Sequence, residues 1–278
     1  MSQQWSPALL EKMRRDWDER ARENARYYVA TGQKEWTDEE FFASGEINVR
    51  EQILTDMINI CQGRDQAAMR VLEIGCGAGR LTRALAKVFG RVCGVDVSGE
   101  MVAQAREALR GGLAMRRLTD LYWEAVNRVR EAWRGEGAIG RLGELFLDLV
   151  RRVPDAVRDF PNARIYQNNG VDLSMFSDEQ FDFSFSFIVF QHIPSKAIIE
   201  NYVREVWRVL QPGALFKFQV QGYPIENPEC DTWVGVGFTE DEMREMATLC
   251  RFEMRHCHNA GPQYMWLWFF KRPAQEKG

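Results

Sequence analysis

The sequence predicts an α/β fold built on a largely parallel sheet, and three observations carry that expectation. A glycine turn, Gly75-Cys76-Gly77-Ala78-Gly79, joins an apolar run to a helical pattern. A second apolar run ends in a carboxylate, Asp96, about twenty residues after the first glycine. The order across residues 69–109 is strand, helix, strand, helix. The first strand is Met69-Arg70-Val71-Leu72-Glu73-Ile74, and Leu81, Ala84, Leu85 and Val88 recur at helical spacing after the turn. Arg91 to Asp96 forms the second strand, and Val97-Ser98-Gly99-Glu100-Met101 opens a helix through Leu109. Ala163 to Gln167 is the third strand.

Composition narrows the function classes. The chain has 278 residues, 45% hydrophobic and 27% charged, enough to bury a full core as one large domain or one domain with an insertion. A net charge of −4 gives no overall positive field to collect nucleic acid or acidic lipid. No window approaches the roughly 18 apolar residues of a membrane span, and the first twenty residues lack an apolar signal core. A cytoplasmic protein is therefore expected. The six cysteines are scattered without a C-x-x-C pair, which fits reduced thiols better than a disulfide frame or a zinc site.

The glycine turn admits several ligands. A Walker A loop needs Lys-Ser or Lys-Thr after its last glycine, and neither follows Gly79. A dinucleotide fingerprint would set its third glycine where Arg80 stands. A bare turn with no ligand is the remaining alternative, and Asp96 alone would read as a helix cap. Together, turn and carboxylate point to a ribose-bearing ligand.

Here the chain resembles a known family. "VLEIGCGAGRLTRALA" followed by "VCGVDVSGEMVAQAREAL" is similar to the cofactor half of class I S-adenosylmethionine-dependent methyltransferases, in particular the bacterial type 11 group. "NNGVDLSMFSDEQFDFSFSFIVFQHIP" resembles that family's adenine-binding loop and fourth strand, and "NYVREVWRVLQPGALFKFQVQG" its next helix, PG turn and fifth strand. The resemblance implies a Rossmann-like three-layer sandwich with a seven-stranded sheet in the order 3-2-1-4-5-7-6, the last strand antiparallel. Phe238 to Leu249 would be the penultimate helix, and Arg251 to His258 with Tyr264 to Arg272 a closing hairpin.

The same resemblance implies S-adenosylmethionine as cofactor and assigns roles. Gly75, Cys76, Gly77 and Gly79 would pass their backbone under the methionine and ribose, with Glu73 fixing the turn or the ammonium group. Asp96 would accept from the ribose hydroxyls, and Val97 and Met101 would flank the adenine. Asn169, where relatives carry aspartate, would accept from the adenine amino group, and Val171, Asp172 and Leu173 would line the ring. Phe187 would lie beside the departing methyl. No metal is expected: His256 and His258 share a strand face but have no third ligand at suitable spacing.

Methyl transfer from a sulfonium needs a general base only if the acceptor arrives protonated. His192 is the candidate base, because it lies at the carboxyl end of the fourth strand; a packed or capping histidine beside Pro194 is the alternative. The fourth-strand segment lacks the [DNS]-P-P-[YFW] signature resembling enzymes of nucleobase amines, and no paired-glutamate loop like that of protein arginine methyltransferases is found. The expected activity is methyl transfer to an oxygen or nitrogen of a small molecule. An RNA or protein methyltransferase and a non-catalytic cofactor-binding sensor are the alternatives.

Two segments outside the core are expected to set specificity. Residues 1–50 form a helical segment in which Leu10, Met13, Trp17, Ala21 and Tyr28 recur near helical spacing. Either it closes over the cofactor, with Trp17, Tyr27, Tyr28 or Trp36 above the site, or it packs on the sheet's flank. Residues 51–278 would be the methyltransferase domain, with residues 111–160 a helical hairpin inserted before the third strand. Its two apolar stripes, Leu118 to Trp133 and Leu142 to Val153, would be buried at the substrate mouth, at a homodimer interface, or on the domain's own flank.

Overall fold

The computed structural model describes residues 5–110, 160–225, 227 and 230–273. Contacts divide the chain into one unit of Met1–Ala105 with Asn162–Gly278 and a second, Arg106–Pro161. Of the second unit only residues 106–110 and 160–161 are described, with the Phe160 amide donating to the Leu109 carbonyl at 3.1 Å. Of the expected hairpin of residues 111–160, all but Phe160 lies outside the described residues.

The first unit holds seven strands: β1 (Arg70–Ile74), β2 (Arg91–Asp96), β3 (Ala163–Gln167), β4 (Phe181–Ser186), β5 (Leu210–Val220), β6 (Glu253–His258) and β7 (Met265–Phe270). They form one sheet in the order β3-β2-β1-β4-β5-β7-β6, as the resemblance implied. The five strands from β3 to β5 pair in parallel, and β7 runs antiparallel to β5 and β6. Val71, Leu72 and Ile74 on β1 are buried whichever way they point, as a central parallel strand covered on both faces requires. The alternation in β4, Phe181-Asp182-Phe183-Ser184-Phe185-Ser186, looks like a half-exposed strand, yet Ser184 and Ser186 are buried too. Their hydroxyls donate to the Leu72 and Ile74 carbonyls of β1 at 3.2 and 3.0 Å, which satisfies them inside.

Helices follow their caps. Helix α1 (Pro7–Val29) starts where Ser6 accepts from the Leu9 amide, with Pro7 in the first turn. It breaks at Asn24, whose side-chain oxygen then accepts from the Tyr27 amide at 3.1 Å and recaps the last turn. Helix α2 (Asp38–Gln52) opens with a Thr37/Glu40 capping box, and α3 (Met57–Cys61) is one short turn further on. Helices α4 (Arg80–Leu85) and α5 (Gly99–Leu109) follow β1 and β2, and α6 (Lys196–Val209) precedes β5. Helix α7 (Glu240–Leu249) begins two residues later than Phe238 because Thr239 and Glu242 form a second capping box. No described helix is long and apolar enough to cross a membrane.

Candidate functional site

The carboxyl ends of β1, β2 and β4 meet around the glycine turn. Gly75, Gly77 and Gly79 have φ of 74°, 51° and 81°, a region that side chains other than glycine avoid. The first two are also sterically closed: a Cβ at Gly75 would stand 2.2 Å from a Val189 methyl, and one at Gly77 2.7 Å from a Val29 methyl. The amides of Gly75 and Cys76 donate to the Val95 carbonyl at 2.8 and 3.0 Å, fastening the turn to β2. At the end of β2, Asp96 accepts from the Gly77 amide at 2.8 Å with one oxygen and from the Ser98 amide at 2.9 Å with the other. Burial raises its pKa to about 6 against those bonds.

Below the turn, Glu73 is buried and accepts from the Thr82 hydroxyl, tying β1 to α4. Burial raises its pKa to about 7, offset in part by that bond and by Arg80. Arg80 is buried as well, and donates to Asn48 on α2 at 2.6 Å.

Two cavities adjoin here. The first is lined by Glu73, Gly75, Cys76, Gly77, Asp96, Val97, Met101 and Phe187, all singled out in the sequence, and is covered by Trp17, Tyr28 and Val29 of α1. Gly79 does not line it; a Cβ there would meet Ala105 of α5 at 3.2 Å. Tyr27 does not reach it either, and packs edge-on to Tyr28. The second cavity, of about 540 Å³, is lined by Trp36, Tyr223, Trp233 and Tyr264 with Asn48, Gln191 and Gln221. Tyr28, Val29, Arg80, Phe187, Ile188 and His192 belong to both walls.

The loop after β3 departs from expectation. Asn169 is exposed, and its side-chain oxygen accepts from the Val171 and Asp172 amides, both at 3.0 Å, so it turns the loop and is not presented to a ligand. Asn168 and Gly170 face the first cavity in its place, with the Asn168 amide donating to the Tyr202 hydroxyl at 2.6 Å. Val171 and Leu173 are buried away from the cavity, and the Asp172 carboxylate accepts from Ser174.

His192 reaches the site but is poorly suited as a base. Its Nδ1 lies 2.5 Å from the Trp233 carbonyl, which can only accept, so Nδ1 carries the proton. Nε2 then accepts from Gln191 at 3.2 Å, and Gln191 is itself held by Gln219. The ring stacks on Trp233 at 4.9 Å and meets Trp17 edge-on at 5.4 Å. Burial lowers its pKa to about 4, so it is neutral at pH 7 and has little affinity for another proton. His256 and His258 lie on edge strand β6; among the described residues, no group of three His, Cys, Asp or Glu side chains could hold a metal ion.

Sequence reasoning missed Arg80, Asn168, Tyr202 and Trp233. Arg80 adjoins the motif, at the place a dinucleotide fingerprint gives to its third glycine, whereas Trp233 belongs to a loop with no periodic pattern.

Comparison with known proteins adds the family. Two family models, each described as a methyltransferase domain, match residues 71–125 and 146–218. No curated protein matches the sequence. Of the solved structures, the DhpI complex with SAH has a TM-score of 0.54 at 19% identity, covering 98% of this chain and 100% of that one. Magnesium protoporphyrin IX methyltransferase (ChlM) from Synechocystis PCC 6803, with bound SAH, has a TM-score of 0.56 at 12% identity, covering 94% and 99%. A Haloferax volcanii complex of a methyltransferase with the Trm112 methyltransferase activator has a TM-score of 0.50 at 16% identity, covering 84% and 98%. At such identities the likeness is one of fold. The matched segments carry the glycine turn, Asp96, β3, β4 and most of β5, and as methyltransferase domains on this sheet order they support a class I S-adenosylmethionine-dependent methyltransferase.

Proposed function

We propose that the chain methylates an oxygen or nitrogen of a small-molecule acceptor. One observation carries this reading: a cavity built on the glycine turn and Asp96 shares a wall with a second cavity rimmed by aromatic rings. At about 540 Å³ the second lies within the roughly 300–1,000 Å³ of small-molecule pockets. A similar fold, ChlM, acts on magnesium protoporphyrin IX, which supports an acceptor of this kind over RNA or protein. The acidic balance of the chain supports it too.

The residues present fit the cofactor. A Cβ at Gly75 or Gly77 would fill the cradle, and the Asp96 carboxylate, held by one amide on each oxygen, keeps lone pairs for two ribose hydroxyls. Val97, Met101, Asn168 and Gly170 would hold the adenine, and Glu73 with the turn backbone the amino acid portion. S-adenosylmethionine supplies a methyl group on a sulfonium, open to in-line displacement. What the chain adds is alignment and exclusion of water. Phe187, stacked on Trp266 at 5.3 Å, and Val29 would wall the junction through which the methyl passes. The first cavity holds only about 90 Å³, well under the roughly 300 Å³ of a ligand pocket, so α1 would shift to admit cofactor and close again behind it.

Calorimetric titration with S-adenosylhomocysteine tests this. Micromolar binding is expected, weakened at least about tenfold in Asp96→Ala, the loss of hydrogen bonds to a charged group. A folded wild-type protein that binds none would overturn the assignment of the glycine turn.

A further inference from the structure

Arg80 is a buried cation at the cavity junction with no ion-paired carboxylate among the described residues. It opens α4, lines both cavities and is 5% exposed. One terminal nitrogen donates to Asn48 and Ser44, both neutral. Its Nε–H is buried with no acceptor. Among the described residues only Glu73 acts on it as a carboxylate, from beyond ion-pairing distance, and Glu73 is engaged by Thr82. A buried guanidinium with neutral partners carries an uncompensated desolvation cost that an incoming anion would offset. Aromatic rings line the second cavity: Trp36, Trp233, Tyr223 and Tyr264 favour a planar apolar body. Among the described residues the junction also offers no ready base. His192 is a weak one, and the Tyr28 hydroxyl is committed to Glu23 at 2.8 Å. An acceptor that arrives already ionised needs none.

We propose that the acceptor is an aromatic carboxylic acid, bound through its carboxylate to Arg80 and methylated on that carboxylate. This rests on the methyltransfer reading above. An oxygen lone pair forms the new C–O bond while the methyl–sulfur bond breaks with its electrons passing to sulfur. A carboxylate and a sulfonium become a neutral ester and a neutral thioether, and no proton is released. Arg80 draws the anion to the junction and orients it, and Asn48 and Ser44 hold Arg80 in place.

The probes are cinnamate, 1-naphthoate and indole-3-acetate, each against its primary amide, titrated into protein saturated with S-adenosylhomocysteine. Acids are expected to bind at least about tenfold more tightly than amides, the scale of a charge-assisted bond. Arg80→Gln should abolish that preference, with urea unfolding followed by tryptophan fluorescence reporting that the variant is folded, and Arg80→Lys should keep part of it; because Arg80 also lines the first cavity, loss of S-adenosylhomocysteine binding by folded Arg80→Gln would assign the guanidinium to the cofactor's own carboxylate and overturn the proposal. With methyl-labelled S-adenosylmethionine, the product should release volatile methanol on brief treatment with base. Equal binding of acids and amides, no binding of any acid, a preference that survives Arg80→Gln, or a base-stable product would each overturn the proposal. If S-adenosylhomocysteine itself fails to bind, the parent reading fails instead.

Discussion

Glu73→Gln should make the ligand-free protein more stable at pH 8 and change it little at pH 5. Glu73 is 2% exposed, and burial raises its pKa from the ordinary 4.5 to about 7. The folded state therefore holds the proton more tightly than the unfolded chain, and the associated stability is present below pH 4.5 and lost as pH rises through 7. At pH 8 the carboxylate is ionised in both states, and the fold bears the full cost of burying it. A shift of this size corresponds to about 3 kcal/mol at pH 8 and about 1 kcal/mol at pH 5. Glutamine removes the charge, keeps the volume, and can still accept from Thr82. Urea unfolding followed by tryptophan fluorescence reads the difference: with a slope of about 1–3 kcal/mol per molar, the midpoint should rise by about 1 M or more at pH 8. Equal shifts at both pH values would refute the argument, because they would mean that Glu73 is ionised, or neutral, in both states across the range.

Other perturbations test the frame and the cover. Gly75→Ala, at φ 74° and 2.2 Å from Val189, should lower the melting temperature and weaken S-adenosylhomocysteine binding; retention of both would show that the turn has room. Asp56→Ala leaves Lys217, whose side chain is 4% exposed, without its partner at 2.9 Å and should cost about 3–5 kcal/mol in urea unfolding, with part regained when Lys217→Met is added. Arg20, whose guanidinium lies 4.8 Å from the Trp17 ring and 5.5 Å from Trp233, clasps α1 to the loop around Trp233. Arg20→Ala should speed tryptic cleavage within residues 7–29, and S-adenosylhomocysteine should slow that cleavage in the wild type; equal rates with and without ligand would sink the idea that α1 is a lid. His192→Gln should lower kcat less than about tenfold, whereas a loss of about a hundredfold or more would restore His192 as a general base.

Strands β1 and β2 and the glycine turn were legible because local chemistry fixes them, whereas the sheet order came from the resemblance. A glycine turn needing positive φ at alternate positions and a carboxylate ending the next strand leave short-range marks, and the apolar runs of β1 and β2 mark buried strands. Errors arose where a side chain had two uses for the same chemistry. Asn169 is a fair adenine acceptor by type, but in a tight loop its oxygen finds two backbone amides first. Likewise the lateness of α7 relative to Phe238 follows from a capping box readable at Thr239 and Glu242, a local signal that the strand-and-helix pattern overrode.

The second cavity was illegible for a different reason. Its wall comes from α1 and α2, the loops after β4 and β5, and the approach to β7, and no period links Trp36, Gln191, Trp233 and Tyr264 along the chain. Only the shared wall touches a motif, at Arg80 behind the glycine turn and at Phe187 and His192 behind β4. There the sequence supplied residue types and the fold supplied their state: burial neutralises the histidine against the pull of the Trp233 carbonyl, which favours its proton, while the arginine keeps its charge with no ion-paired carboxylate among the described residues. On the reading proposed above, a junction with a permanent cation and, among the described residues, no effective base would favour an acceptor that brings its own negative charge, so the state of these two side chains, more than their identity, is what would narrow the chemistry.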